Sequence, residues 1–236
     1  MPNSALIFAC LCADPHKSRK PVEPGRLSTG PGPIRQDGTV RWRSRQGGHT
    51  NRHEGLAAAL EATGFWAGLP SRDGVRLRDE VAQGASPVTG LAERGWRADG
   101  EDLAEGDVEE LLRSMIDALR HRGVSLTVES VRRPRDDRST GYTLRINGEL
   151  LDLFDYDPAN RGMPLVADPW MDCTVKPLGL VNRLLDEAGS SDRVAVFCPG
   201  GNDGLAMLLP LEAIQVFAES KLIPEQDRPI VPSAVT

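Results

Sequence analysis

The dipeptide Asn147-Gly148 constrains the fold most, because it lies between two segments with alternating apolar residues. Both residues tolerate a positive φ, which the two-residue type I′ turn of a β-hairpin requires. The sequence therefore predicts a hairpin over residues 141–154, with opposed pairs running from Ile146–Glu149 to Tyr142–Leu153. This register gathers the apolar side chains on one face: Tyr142, Leu144, Ile146, Leu151 and Leu153.

The residues around the hairpin predict further helices and strands. Apolar residues at helical spacing from Val108 to Leu119 indicate a helix with Asp107 as its N-cap and Gly123 at its end. A second helix is predicted to begin at Pro177, and a third to follow Pro210. Strands are predicted at residues 124–128, 193–198 and 205–209. Residues 96–220 thus predict an α+β domain with a mostly antiparallel sheet of about five strands and about three packed helices.

The segments outside this domain have fewer signals of regular structure. Residues 1–55 are rich in Pro, Gly, Arg and Ser and are predicted to be a disordered basic tail, whereas residues 56–95 indicate a poorly defined linker or a short helix. Residues 221–236 are predicted to be a C-terminal tail. Trp42 lies among Arg41, Arg43 and Arg45, which leaves three alternatives: an arm that contacts RNA or an acidic surface, a solvated tail, or sequence upstream of the true start.

The distribution of charge favours a basic partner. Residues 1–55 contain nine Lys/Arg and four Asp/Glu, and the remaining residues carry a net charge of −11. An acidic body disfavours binding to nucleic-acid phosphates. Four cysteines are too few for a disulfide framework in a chain of 236 residues, so a cytoplasmic location is expected. No stretch approaches the roughly 20 apolar residues of a membrane helix.

An acidic group lies in and after the hairpin and is the first candidate site. Its members are Asp152, Asp155, Asp157, Asp168 and Asp172. One interpretation is an acidic surface that binds a protein partner. The alternative is a metal-dependent hydrolase or nuclease that holds Mg²⁺ with the same carboxylates, although a complete nuclease pattern is missing. The loop 132–140 before the hairpin is polar and is expected only to be solvated.

The loop after residue 198 is the second candidate. Gly200, Gly201, Asn202 and Asp203 connect two predicted strands, which is a usual place for functional loops. A thiolate at Cys198 would need a base and an anion cradle, and the loop lacks the Lys-Ser/Thr of a P-loop. A tight turn beside a buried cysteine is the simpler interpretation. No metal-ligand spacing and no complete catalytic set is evident, which favours a binding protein over an enzyme.

Three segments together resemble small uncharacterised bacterial α+β proteins, some of them of the immunity-protein type. They are ADGEDLAEGDVEELL, RINGELLDLF and VFCPGGNDGLAMLLPLEAI, and the resemblance covers residues 96–220. It implies no cofactor and no catalytic residues. The leading hypothesis is therefore a cytosolic binding protein, in particular a toxin-neutralising immunity protein, that uses its acidic surface to engage a basic partner.

Overall fold

The computed structural model describes residues 47–67, 69, 71–87, 95–134, 140–157, 159, 163–225 and 228–234. The predictions of a disordered segment and an arginine-rich arm within residues 1–46 lie outside this part of the chain. The described residues have an α+β fold with two three-stranded antiparallel sheets. The predicted fold class is confirmed, but the strands divide between two sheets instead of forming one.

The strands are β1 (Trp96–Arg97), β2 (Val128–Arg132), β3 (Gly141–Ile146), β4 (Glu149–Asp155), β5 (Asp192–Phe197) and β6 (Leu205–Pro210). The helices are α1 (Gly47–Ala62), α2 (Ser71–Ala82), the single turn α3 (Gly100–Asp102), α4 (Val108–Arg120), α5 (Pro169–Glu187) and α6 (Leu211–Glu219). We call the sheet with order β1-β6-β5 the enclosed sheet and the sheet with order β2-β3-β4 the open sheet.

The predicted hairpin is present as β3 and β4. Asn147 and Gly148 have φ values of 49° and 87°, and Ile146 lies opposite Glu149. The predicted pairing of Tyr142 with Leu153 is wrong, because a β-bulge shifts the register and places Phe154 opposite Tyr142. The extra residue of a bulge interrupts the alternation of side chains between the two faces of the strand. Leu153 and Phe154 are consequently both buried.

The side chain of Asn147 makes hydrogen bonds that the turn pattern does not indicate. Its Oδ1 accepts hydrogen bonds from the backbone N–H of Thr127 (2.7 Å) and from the Thr127 hydroxyl (3.1 Å). Its Nδ2 donates to the carbonyl oxygen of Ser125 at 2.9 Å. The turn is therefore held against the extended residues that lead into β2.

One apolar cluster joins the inner faces of the two sheets to α4 and α5. Tyr142 and Leu144 of the open sheet and Val194 and Val196 of the enclosed sheet belong to it. The helices contribute residues including Leu112, Met115, Leu178 and Val181. These helical residues follow the spacing of three and four that an amphipathic helix requires. The cluster explains why the two sheets form one body.

A second apolar cluster covers the other face of the enclosed sheet. Ala195 and Met207 contact it from the strands, Phe217 from α6, and Leu60 and Leu77 from α1 and α2. The sequence predicts a poorly defined linker or a short helix over residues 56–95, where α2 and the second part of α1 lie. Helix α1 begins earlier, within the predicted tail. Glycines and polar residues interrupt the apolar pattern of α1, so burial against the sheet stabilises it more than local preference does.

The cap of α4 and the beginning of α5 differ from the predictions. Helix α4 starts at Val108, but the side chain of Asp107 makes no capping hydrogen bond. The chain passes from α3 to α4 through Leu103–Asp107, where Gly106 has a φ of 128° and kinks the helical path. Asp99 caps α3 by accepting from the N–H groups of Glu101 and Asp102. The true capping signal therefore lies eight residues earlier.

Helix α5 begins at Pro169 rather than at Pro177. Asp168 caps it, since its Oδ1 accepts the N–H of Met171 at 2.9 Å. Pro177 lies inside the helix and is buried. An interior proline lacks one helical hydrogen bond and usually ends a helix, which is why the sequence pattern indicated a start there. Packing on both sides of α5 outweighs that cost.

The C-terminal segment is attached to the enclosed sheet rather than trailing away. Ile230 and Val196 exchange two backbone hydrogen bonds of 2.9 Å. The buried amide of Asn182 donates to the carbonyl oxygens of Val194 and Pro232 and accepts the N–H of Val194. A Cβ atom at Gly179 would collide with the backbone of Ser233. The segment thus covers the edge of β5 that β6 leaves open.

None of the helices in the described part of the chain combines the length and the apolar content that a bilayer crossing requires.

Candidate functional site

Two of the predicted acidic residues lie on the outer face of the open sheet. Arg132 of β2 reaches across β3 and binds both of them, with Nη2 3.0 Å from Asp152 Oδ1 and Nη1 2.8 Å from Asp155 Oδ1. The two carboxylates keep 67% and 52% of their side-chain surface exposed. We call the five predicted residues Asp152, Asp155, Asp157, Asp168 and Asp172 the acidic face.

Thr143 connects Arg132 to Asp152 on this face. Its hydroxyl accepts a hydrogen bond from Arg132 Nε (2.7 Å) and donates one to Asp152 Oδ1 (2.6 Å). The hydrogen bond from Thr143 and the neighbouring guanidinium of Arg132 hold the pKa of Asp152 below its usual range. Asp152 therefore stays ionised at neutral pH, and its charge is partly compensated by Arg132.

Two further residues of the acidic face belong to the beginning of α5, where Asp168 is the N-cap and Asp172 lies in the first turn. Asp172 pairs with Lys176 at 3.1 Å, and the ammonium group of Lys176 donates to the carbonyl oxygen of Leu153 at 2.8 Å. These contacts join the first turns of α5 to β4. Asp168 is committed to the helix cap, as described above. Five aspartates against Arg132 and Lys176 leave a formal charge of −3 on these seven side chains.

The segment between β4 and α5 folds back beside the end of β4. The N–H of Leu165 donates to the carbonyl oxygen of Asp155 at 2.7 Å, and the N–H of Asp157 donates to the carbonyl oxygen of Met163 at 2.9 Å. A carboxylate oxygen of Asp157 accepts the N–H of Ala159. Met163 and Leu165 remain 59% and 62% exposed. Two large apolar side chains therefore lie beside two of the acidic residues.

The glycine loop forms a separate region that packs on the entry to α3. The carbonyl oxygens of Gly201 and Gly204 accept the N–H groups of Gly100 (2.9 Å) and Ala98 (2.8 Å). The amide of Asn202 is 3.4 Å from a carboxylate oxygen of Glu101. Gly200 has a φ of 70° and lies against the first turn of α5. These contacts give the loop a structural role beside the first turn of α5, and none of them involves one of the five aspartates of the acidic face.

The two described cysteines are buried. Cys198 has a φ of 49° and 6% exposure at the end of β5. Burial raises the pKa of the Cys173 thiol to about 12, with a further contribution from Asp172. A thiol with such a pKa is protonated at neutral pH and is a poor nucleophile. Neither position favours thiol chemistry.

The acidic face does not assemble as a metal site in the described residues. No group of three His, Cys, Asp or Glu side chains converges there in a way that could hold an ion. Asp152 and Asp155 each accept a hydrogen bond from the guanidinium of Arg132.

Sequence reasoning missed four residues that shape this surface: Arg132, Lys176, Met163 and Leu165. The sequence predicts a strand at residues 124–128 and a solvated loop from Arg132, whereas the strand is Val128–Arg132 and pairs with β3. Met163 and Leu165 carried one usable signal, since they are apolar residues in a proline-rich connection that has neither helical nor strand periodicity.

Comparisons of the chain with protein-family models, with curated proteins and with solved structures found no match. Its function is therefore argued from its own residues.

Proposed function

We propose that this chain is a binding protein that recognises a protein partner with a basic surface through the acidic face. A toxin-neutralising immunity protein is the specific form of this proposal. The observation that carries it is the exposed carboxylates of β4, which retain more than half of their side-chain surface within a group whose formal charge is −3. Charged faces of this kind attract an oppositely charged partner and speed association.

The arrangement of the carboxylates is suited to recognition because it is already ordered. Arg132 holds Asp152 and Asp155, the helix cap holds Asp168, and Lys176 holds Asp172. A partner that binds a preformed surface loses less side-chain entropy on association than one that must order it.

The test compares two triple variants of the full chain that change the net charge equally. The face variant carries Asp155→Asn, Asp157→Asn and Asp172→Asn. The control variant carries Asp79→Asn, Asp117→Asn and Glu187→Gln, which are exposed carboxylates of α2, α4 and α5. Proteins captured from the native host are quantified by mass spectrometry, and the candidate partner is then purified for kinetic binding measurements.

We expect a basic partner whose association rate falls about tenfold with the face variant and less than about twofold with the control. Raising the salt concentration should reduce the difference between the variants, because salt screens exposed charges. Equal recovery by both variants would reject the acidic face as the recognition surface. If the partner is a toxin, co-expression with the wild-type chain should restore growth, and co-expression with the face variant should restore less.

The alternative of a metal-dependent hydrolase is decided by calorimetric titration with Mg²⁺ or Mn²⁺. Micromolar binding that disappears in Asp152→Ala would favour the enzyme over the binding protein.

A further inference from the structure

Met163 and Leu165 are among the most exposed large apolar side chains of the described residues. Single exposed apolar residues are common on protein surfaces, but two within three residues are more informative. Met163 and Leu165 flank Pro164, which forms an antiparallel bridge with Tyr156, and the side chains on either side of a bridged residue point to the same face. Met163 and Leu165 therefore form one apolar pair, which we call the apolar ledge.

The backbone under the apolar ledge is fixed. The hydrogen bonds to Asp155 and from Asp157, together with the bridge between Tyr156 and Pro164, hold residues 163–165 antiparallel to the end of β4. Val166, the next residue, packs against the first apolar cluster. The ledge is therefore presented by a segment that is anchored on both of its sides.

We infer that the apolar ledge is the centre of the binding surface and that the acidic face is its rim. The partner is then a protein that presents an apolar side chain surrounded by Lys and Arg. This inference rests on the proposed function and adds to it the chemistry of the partner. Interfaces commonly have an apolar centre that carries most of the binding energy and a polar rim that steers association.

Side-chain docking fits this edge better than strand addition. The backbone N–H of Leu165 and the carbonyl oxygen of Met163 are directed toward β4, so an added strand would have to pair with the residues that alternate with them. One of these is Pro164, which has no N–H to donate. Prolines on edge strands discourage pairing with another strand. At this edge, the side chains of Met163 and Leu165 therefore determine the specificity of binding.

The charges around the ledge select against a second copy of this chain. A symmetric dimer through the ledge would bring Asp155 and Asp157 of both copies together, and like charges in contact oppose association. A basic partner has the complementary charge. Residues 1–46 of this chain carry eight Lys/Arg and three Asp/Glu, so they are the competing occupant that the experiment must distinguish.

The probes are four fluorescein-labelled peptides of equal length, and each is composed of two residue types. The four pairs are lysine and leucine, lysine and serine, glutamine and leucine, and glutamate and leucine. Binding to the full chain is measured by fluorescence anisotropy. The ledge variant is Met163→Ser with Leu165→Ser. The control is Val75→Ser with Leu211→Ser, two exposed apolar residues on α2 and α6. The face variant described above is included.

We expect the lysine–leucine peptide to bind most tightly and to lose at least about tenfold in affinity with the ledge variant, but less than about twofold with the control. The inference is overturned if the lysine–serine peptide binds equally well, if the ledge variant binds normally, or if no lysine–leucine binding is detected. Loss of lysine–serine binding in the face variant supports the proposed function independently. The inference about the apolar ledge can therefore be rejected while the proposed function of the acidic face is retained.

Two further measurements identify a competing occupant. Light scattering that gives twice the chain mass of 25.6 kDa, reduced to one chain by the ledge variant, would assign the ledge to a second copy and overturn the inference. Substituting Arg41, Arg43 and Arg45 by Gln in the full chain should leave peptide affinity unchanged. A tenfold gain would show that the chain's own N-terminal residues occupy the ledge, which would also overturn it.

Discussion

The two sheets of this protein differ in how much of their surface is covered by other elements. The enclosed sheet has an apolar cluster on each face, and β5 places Val194 and Val196 in one cluster and Ala195 and Phe197 in the other. Its β5 edge is covered by the C-terminal segment through Ile230. A sheet enclosed in this way contributes mainly to stability, because few of its side chains contact solvent.

The open sheet buries its inner face and leaves most of its outer face exposed, although Thr143 of the outer face is buried beside Arg132. Its outer face presents Glu129, Arg145 and Leu150 in one row and Arg132, Thr143 and Asp152 in the next. Ion pairs and hydrogen bonds order this outer face without covering it. The comparison shows that both faces of the enclosed sheet contact apolar clusters, whereas the open sheet contributes its inner face to one cluster and leaves most of its outer face exposed.

The largest effect is expected from Phe217→Ala in the second apolar cluster. The ring of Phe217 is fully buried, with its centroid 5.2 Å from that of Phe65 and 5.5 Å from that of Phe197. Removing a buried aromatic ring should lower the free energy of unfolding by about 3–5 kcal/mol. Leu150→Ala on the exposed face of the open sheet is the control and should change it by less than about 0.5 kcal/mol. Denaturant titration measures both, and similar losses would remove the distinction between the sheets.

Asn182→Ala should have the next largest effect. The substitution removes three hydrogen bonds and leaves buried backbone groups of Val194 and Pro232 without this partner. We expect a loss of about 2–3 kcal/mol in the free energy of unfolding. Hydrogen exchange should show faster exchange at Val196 and Ile230, whose mutual pairing lies beside the amide. Unchanged exchange there would mean that the C-terminal segment does not depend on Asn182.

Glu109→Gln tests a buried charge at the border of the open sheet. Glu109 accepts a hydrogen bond from Ser130 and pairs with Arg133 (2.7 Å) and Arg113 (2.5 Å), and these contacts, with Ser130 first, lower its pKa. Its ionised form therefore stabilises the fold above the unfolded-state pKa of about 4.3, and this stability is lost as pH falls through the folded-state value.

The variant should lose about 1–2 kcal/mol at neutral pH. It should also show a weaker decrease in stability on acidification below about pH 5 than the wild type. Glu110→Gln, an exposed neighbour on α4, is the control. Parallel acid-unfolding curves for wild type and Glu109→Gln would contradict the assignment.

The smallest effect on stability is expected from Asp152→Asn. The carboxylate is mostly exposed, so its pair with Arg132 is weakened by solvent. We expect less than about 1 kcal/mol in the free energy of unfolding, measured by thermal or denaturant unfolding. A loss above about 2 kcal/mol would mean that the outer face of the open sheet contributes to the core, which would contradict the comparison.

Much of the architecture could be predicted because its signals are local. The positive φ of Asn147 and Gly148 follows from residue type, and the spacing of Val108, Leu111 and Leu112 marks one face of a helix. The candidate site was only partly predictable. The aspartates are visible as residues, whereas their pairing with Arg132 and the exposure of Leu165 depend on how separate segments meet.

The sequence by itself determined the α+β class, the hairpin and the apolar stripe of α4, since each depends on neighbouring residues in a short window. Tertiary structure alone decided the division into two sheets, the bulge that buries both Leu153 and Phe154, and the attachment of the C-terminal segment. Arg132 and Asp155 are 23 residues apart, and Asn182 and Pro232 are 50 apart. The physical reason is that such contacts form only when the apolar clusters bring distant segments together, so no local pattern specifies them.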